Sequence, residues 1–190
     1  MKQVVQTPKT GDIRVVEVPP PVLRPGGALV LTRASLISAG TERSKIELGK
    51  ASLVGKARAR PDLAREVIRR AREDGVRETY RTVTTRLATP EPLGYSSSGV
   101  VLEAAPDCAG IAPGDLVACA GGGYANHAEV NFVPQNLLAR APGGVTPAQA
   151  AFGTIGAIAL HSVRRAGVSL GERVAVIGLG LVGLLVVQLV

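Results

Sequence analysis

Residues 178–183 read Gly-Leu-Gly-Leu-Val-Gly, a GxGxxG spacing suited to holding a pyrophosphate against main-chain N–H groups. In such a loop the first glycine permits a tight turn. The second lets phosphates approach the backbone, and the third lets the following helix pack on the preceding strand. The context fits. Arg173–Ile177 carries four apolar residues, three of them Val or Ile, and predicts a buried parallel strand. The apolar run that follows predicts a helix whose N-terminus offers unbonded N–H groups and a partial positive charge. Dinucleotide binding is therefore the chemistry expected of Gly178, Leu179, Gly180, Leu181, Val182 and Gly183. A membrane anchor is the competing reading, because Gln188 is the only polar side chain in the seventeen residues Val174–Val190. Three glycines in six residues, and a length short of the roughly 20 residues a span needs, argue against it. The second strand of a dinucleotide fold, and an acidic ribose ligand about 20 positions after the motif, would lie beyond Val190. The chain is thus expected to be the N-terminal part of a longer enzyme, or else unable to finish a cofactor site alone. The apolar Leu184–Val190 helix is expected to be exposed and to make the isolated chain poorly soluble.

Other reactive residue types are sparse. Cys108 and Cys119 are separated by ten residues, which is not a metal spacing, and are expected to be free thiols in a reducing cytoplasm. His127 and His161 are the two histidines. The net charge of +7 is localised: residues 43–89 hold thirteen Lys or Arg against six acids, and the rest of the chain is neutral. A basic stripe can meet nucleic acid, an acidic lipid surface or a phosphorylated ligand. Without interleaved aromatics, a solvated face with local Glu–Arg pairs is preferred, and neither nucleic acid nor membrane is expected as a partner. Hydrophobic content of 46% and charged content of 19% exclude a disordered chain. The N-terminus carries no long apolar run of the secretory kind.

These residues need elements to position them. Lys2–Gln6 and Ile13–Val18 predict a hairpin turning at Gly11-Asp12 and ended by Pro19-Pro20-Pro21. Pro25-Gly26-Gly27 predicts a turn, Ala28–Ile37 a strand, and Ser38–Glu42 a small polar loop. Pro61–Glu73 predicts a helix with an apolar stripe at Leu63, Val67, Ile68 and Ala71, stopped by Gly75. Further strands are expected after Gly94, at Leu116–Ala120 and at Tyr124–Val133, with Gly121-Gly122-Gly123 as a hinge. Thr146-Pro147-Ala148-Gln149 has capping-box spacing and predicts a helix through Ala150–Arg165, closed by Gly167, with Gly153 and Gly156 allowing close approach. The pattern changes from all-β to α/β near residue 142, so domains are expected at 1–142 and 143–190.

This order of features resembles the medium-chain dehydrogenase/reductase superfamily, the zinc alcohol dehydrogenase-like enzymes. The resemblance rests on Pro25-Gly26-Gly27, Ala39-Gly40-Thr41-Glu42, Gly94–Val101, Pro113-Gly114-Asp115, Tyr124-Ala125 with Ala128-Glu129, and Arg164–Gly183. It implies a mixed β and α/β fold: a GroES-like β-barrel catalytic domain, then the start of a Rossmann domain, with the active site in the cleft between them. At each zinc position the sequence departs from the family. Ala39 stands where the zinc enzymes carry the cysteine of Cys-Gly-Thr-Asp, and Gly94, Tyr95 and Ser96 stand where they carry Gly-His-Glu. The third ligand position falls on Gly153 or Thr154. No cysteine-rich structural lobe is present. Zinc requires three or four Cys, His or carboxylate ligands, so no metal is expected. A subgroup of two-part oxidoreductases found with bacterial polysaccharide biosynthesis is more similar still. It matches in residues 38–43, 92–96 and 124–129, in the glycine loop, and in the basic helical insertion before Pro92.

The resemblance implies NAD or NADP as cofactor. It also implies that Tyr95, Thr41, Glu42 and His127 lie near the cleft as candidates for polarising a carbonyl and moving a proton. Thr154 is expected to border the nicotinamide, and His161 to be structural. A small-molecule substrate (a sugar, nucleotide sugar or other carbonyl compound), a downstream catalytic domain or partner subunit, a homo-oligomer and a cytoplasmic location are expected with it. The alternative is a GroES-like scaffold that has lost catalysis; a basic nucleic-acid-binding domain is the third reading.

Overall fold

The computed structural model of the chain describes residues 1–51, 55, 58, 61–73 and 75–190. The chain forms two compact units, one of Met1, 18–38 and 94–190, the other of 2–17 and 39–93.

In the second of these, β1 (Lys2–Gln6) pairs antiparallel with β2 (Ile13–Glu17) and with the short β4 (Glu91–Pro92). The expected hairpin is present, and Gly11 takes a positive φ of 77° in its turn. The bounded helices among the described residues here are α1 (Ala39–Lys50), α2 (Pro61–Glu73) and α3 (Val76–Ala88). Helix α1 corrects the expected Ser38–Glu42 loop. Glu42 in its first turn and Lys50 in its last complement the helix dipole, and that charge placement outweighs the loop-like composition. A β-carbon on Gly49 would come within 2.7 Å of the Gly11 Cα, so α1 packs on the hairpin turn. Helix α2 has the expected bounds, but Val67 and Ile68 of its apolar stripe are exposed. The Leu63 side chain lies outside the described set. Arg69–Glu73 (3.6 Å) and Arg81–Glu78 (3.8 Å) are the local exposed pairs expected of a solvated basic face.

The other unit is built on a curled five-stranded antiparallel sheet in the order β7-β3-β5-β6-β8. Its strands are β3 (Gly27–Ser35), β5 (Ser96–Ala104), β6 (Leu116–Ala120), β7 (Val130–Pro134) and β8 (Leu138–Arg140). Ala28, Val30, Val101, Val117, Cys119 and Val133 form its buried interior. These side chains are small, so strands approach closely. A β-carbon on Gly99 of β5 would strike the Leu31 carbonyl of β3. The expected strand Tyr124–Val133 is shortened to β7. Positive φ at Gly121 and Gly123, and the carboxamide oxygen of Asn126 accepting from the Gly123 N–H (3.1 Å), turn 121–126 into a loop.

The strand β5 carries Ser96, Ser97 and Ser98, all buried. Ser97 lies opposite Cys119 across the ladder. Its neighbours point to the opposite face, where Ser96 Oγ donates to the Ala151 carbonyl (2.7 Å) and Ser98 Oγ donates to that of Pro147. This anchors α4 (Pro147–Ala150), which Thr146 and Gln149 start with a complete capping box, as expected. The single helix expected through Ala150–Arg165 is interrupted. The chain turns tightly at Ala151-Phe152, where the Ala151 carbonyl goes to Ser96, and resumes as α5 (Gly153–Ala166). Gly153 abuts Ala118, with 2.9 Å from its would-be β-carbon, whereas Gly156 abuts nothing. Gly167 ends α5 in the left-handed conformation (φ 65°). Arg173–Ile177, expected as a strand, has no ladder partner among the described residues, and Ile177 is 99% exposed. The chain then enters α6 (Leu181–Leu189), which packs on α5. Leu184, Val187 and Leu189 are exposed, as expected of this helix. Among the described residues no helix is long and apolar enough to cross a membrane.

Two outcomes follow from this packing. Gly99→Ala forces β3 and β5 apart and lowers unfolding free energy by about 2 kcal/mol or more, whereas Gly122→Ala, whose β-carbon meets nothing within 4 Å, leaves it unchanged; urea denaturation reads both. Burial pushes the Cys119 thiol from its ordinary 9.0 up to about 12, against a smaller lowering by the Ser97 hydrogen bond. The unfolded thiol therefore ionises first on the alkaline side. Its contribution to stability is intact below pH 9.0 and is lost as pH rises toward about 12. Cys119→Ala flattens that part of the stability–pH profile; an unchanged alkaline slope contradicts the burial argument.

Candidate functional site

The sequence candidates fall into three groups. Tyr95, His127 and Thr154 belong to the unit built on the five-stranded sheet, as does the glycine loop; Thr41 and Glu42 belong to the other. Glu42 is buried in the first turn of α1, while the Thr41 side chain lies outside the described residues.

Around Tyr95 and His127 the backbone is tightly specified. Gly94 has φ +99°, and a β-carbon there would come within 2.7 Å of the His127 nitrogen. The Gly94–Tyr95 main chain thus lies against the Asn126–His127 peptide, an approach that only glycine permits. Asn126 and Asn131, both buried, lock the loop from within. Asn126 N–H donates to Asn131 Oδ1 (3.3 Å), and Asn131 Nδ2 donates to the Asn126 carbonyl (3.0 Å) and to Thr32 Oγ1 (3.1 Å). The Thr32 N–H donates to the Glu129 carbonyl (2.9 Å), tying the far end of the loop to β3. His127 Nδ1 lies 2.9 Å from Ser35 Oγ.

The Tyr95 carbonyl accepts from the Gly121 N–H (2.9 Å), and the Tyr95 ring is half-buried. Its phenol has no hydrogen-bond partner among the described residues. A half-buried, unpaired hydroxyl beside an imidazole loop is a donor available to a bound molecule. Thr154, in the first turn of α5, has its hydroxyl 3.3 Å from the Cys119 carbonyl and 3.5 Å from that of Tyr95. With one proton it can donate to one of them at a time, and it thereby bridges β6 and the Tyr95 turn. His161 is exposed on α5, away from these contacts. Among the described residues no three His, Cys, Asp or Glu side chains come together.

The glycine loop divides its roles as the spacing expects. Gly178 takes φ +92°, the turn that only glycine makes without strain. A β-carbon on Gly183 would strike the Gly178 carbonyl, so the third glycine permits close packing of helix on loop. A β-carbon on Gly180 would meet nothing within 4 Å. That side of the loop is open to a phosphate. Gly180 is the N-cap of α6 and no side chain caps it. The first intrahelical bond runs from the Leu184 N–H to the Gly180 carbonyl (2.9 Å), which leaves the N–H groups of Leu181, Val182 and Gly183 without helical acceptors. These residues fit a pyrophosphate.

Sequence reasoning missed Ser35, Asn126 and Asn131, and did not assign the serines of β5. The triplet Ser96-Ser97-Ser98 in an otherwise apolar run was a visible signal, since buried hydroxyls need partners. Ser35 gave none, being 92 residues from the histidine it meets.

No protein-family model matches the chain. Among solved structures it is similar to galactitol-1-phosphate dehydrogenase from Escherichia coli, at 20% identity and a TM-score of 0.69, over 100% of this chain and 52% of that one. It is similar also to 2R,3R-butanediol dehydrogenase from Bacillus subtilis, at 20% identity and a TM-score of 0.68, over 98% of this chain and 53% of that one. The quinone oxidoreductase from Thermus thermophilus, also solved in complex with NADPH, matches at 21% identity and a TM-score of 0.58, over 90% of this chain and 43% of that one. The chain therefore spans about half the length of these enzymes. Its fold is that of their shared architecture, a GroES-like β domain leading into the start of a Rossmann fold.

Proposed function

We propose that the chain is the N-terminal part of a zinc-independent, NAD(P)-dependent oxidoreductase acting on a small carbonyl or alcohol substrate. The observation that carries this reading is the glycine loop, where Gly178 turns, Gly183 packs and Gly180 leaves open space before three N–H groups without helical acceptors. The dinucleotide, when bound, supplies the hydride chemistry. Residues 1–142 would form the substrate domain and 143–190 the opening of the cofactor domain.

Zinc independence is supported by the chemistry of the residues at the family's ligand positions. Ala39 has no donor atom, Tyr95 offers a phenol rather than an imidazole, and Gly153 or Thr154 offers no thiolate or carboxylate. A carbonyl can be polarised there by neutral donors instead. The Tyr95 phenol donates a hydrogen bond to the substrate oxygen, and His127 holds or moves the proton that appears on it. Thr41 and Glu42, which belong to the other unit, are candidates by the family resemblance alone. The polar, small-molecule character of this set suits a sugar or nucleotide sugar, such as polysaccharide biosynthesis uses. The downstream remainder of the enzyme, a homo-oligomeric state and a cytoplasmic location belong to the same proposal. A non-catalytic scaffold is the second reading; the loss of all three zinc-ligand types favours it, and it requires no cofactor binding.

Titrating NADH and NADPH into the full-length enzyme, of which this chain is proposed to be the N-terminal part, separates the two. Binding is expected, and Gly180→Val weakens it about tenfold or more, roughly 1.4 kcal/mol, without lowering thermal stability, because its β-carbon meets nothing in the protein. Tyr95→Phe leaves cofactor binding unchanged and lowers turnover in the assembled enzyme about a hundredfold. Absence of binding by either nucleotide, or indifference to Gly180→Val, would favour the scaffold.

A further inference from the structure

Helices α2 and α3 carry apolar side chains on their outside. Val67 and Ile68 belong to the stripe that the sequence pattern turns inward, yet both are exposed, Ile68 by 55%. On α3, Val76 is exposed too, and so is Tyr80, by 64%. The helices pack on each other, and these positions stay uncovered after that contact is made. A purely solvated face gains nothing from such residues, because apolar area in water is unfavourable.

Arginines surround these apolar positions. Arg65, Ile68, Arg69 and Arg72 share one face of α2 and line a shallow depression with Glu73. On α3, Tyr80 stands on one face with Arg77 and Arg81. The acids of the two helices are engaged locally: Glu73 pairs with Arg69, Glu78 pairs with Arg81, and Asp62 and Glu66 each have a contact of their own. Arg65, Arg72, Arg77 and Arg86 have no ion-pair partner among the described residues. The unit made of 2–17 and 39–93 holds sixteen Lys or Arg against ten acids, whereas the rest of the chain has six against five.

The combination selects the partner. A soluble anion or a nucleic acid backbone answers the arginines but leaves Val67, Ile68 and Val76 in water. A lipid surface answers both. Its phosphates meet the guanidinium groups while the arginine stems lie along apolar surface. Val, Ile and Tyr enter the boundary between headgroups and acyl chains, where a phenol keeps its hydroxyl in water. The sign of the charge requires anionic lipid. We propose that the exposed faces of α2 and α3 are a docking surface for an anionic membrane, to which the protein binds peripherally. At 13 residues each, the helices lie on such a surface rather than cross it. This surface uses none of the residues assigned to cofactor or substrate, so it stands whether or not the oxidoreductase reading does.

Sedimentation of the full-length protein with lipid vesicles tests the proposal. Binding is expected to vesicles of equal parts phosphatidylcholine and phosphatidylglycerol, and not to phosphatidylcholine alone, and it weakens as salt is raised. Arg65→Gln, Arg72→Gln and Arg77→Gln together lower the partition coefficient roughly a hundredfold, about fivefold for each charge. Ile68→Ser with Tyr80→Ser leaves the charge unchanged and lowers it about tenfold or more. All five positions are exposed, so thermal unfolding of the variants matches that of the parent. Absence of binding to the anionic vesicles, equal binding to the neutral ones, or binding undiminished by the arginine variant overturns the proposal. Indifference to Ile68→Ser with Tyr80→Ser also overturns it, because the contact is then with phosphate alone, which a soluble polyanion or a nucleic acid supplies equally well.

Discussion

The pairing of β3 with β5 is the contact on which the rest of the five-stranded unit depends. These are adjacent central strands, and their main chains come so close at Gly99 and Leu31 that no β-carbon fits between them. Close approach of this kind places every side chain of β5 within reach of something. Val101 and Ser97 go to the interior, and Ser96 and Ser98 go outward to the carbonyls of Ala151 and Pro147 at the two ends of α4. One strand thus fixes both the core and the first helix of the segment that leads to the glycine loop. Loosening the Gly99 contact would move the helix anchors and the Ser35 position together, because all three are register positions of the same ladder.

A core of valine, alanine, cysteine and serine is consistent with that geometry. Aromatic residues make up 3% of the sequence, so the interior cannot be filled by a few large rings. It is filled instead by bringing backbones together, which places main-chain polar groups near one another and raises the cost of any that go unpaired. The buried hydroxyls of Ser96 and Ser98 and the carboxamides of Asn126 and Asn131 supply those partners. Cys119 behaves in the same environment as a small apolar residue, its thiol held neutral by burial.

Legibility in the sequence followed the range of the interaction. The glycine loop, the capping box at Thr146–Gln149 and the left-handed end of α5 at Gly167 were readable because each is a constraint between residues a few positions apart. The hairpin and the strand at Leu116–Ala120 were readable for the same reason. Helix α1 was misread because small polar residues suggest a loop, although Glu42 and Lys50 were already placed for a helix. The interruption at Ala151-Phe152 was invisible because it involves Ser96, 55 residues away, which draws off a carbonyl that the pattern assigned to the helix. Arg173–Ile177 shows the opposite limit. Its composition is that of a buried strand, but a strand exists only with a partner, and pattern alone does not supply one.

The candidate site divides along the same line, and the division has a chemical meaning. The part that would hold a dinucleotide is made of backbone, namely three N–H groups and the absence of a β-carbon at Gly180, so it is written locally and survives in recognisable form. The part that would act on a substrate is made of side chains brought from β3, from the Gly94 turn and from the 121–131 loop. Each is aimed by something remote from it: Ser35 by a bulge, His127 by the glycine opposite it, Tyr95 by hydrogen bonds to its own carbonyl. Neutral donors polarise a carbonyl less strongly than a divalent cation at the same distance, so their orientation has to compensate for their smaller field. The 121–131 loop is fixed densely, by two buried asparagines, two positive-φ glycines and Thr32, so the side chains it carries are held in one orientation.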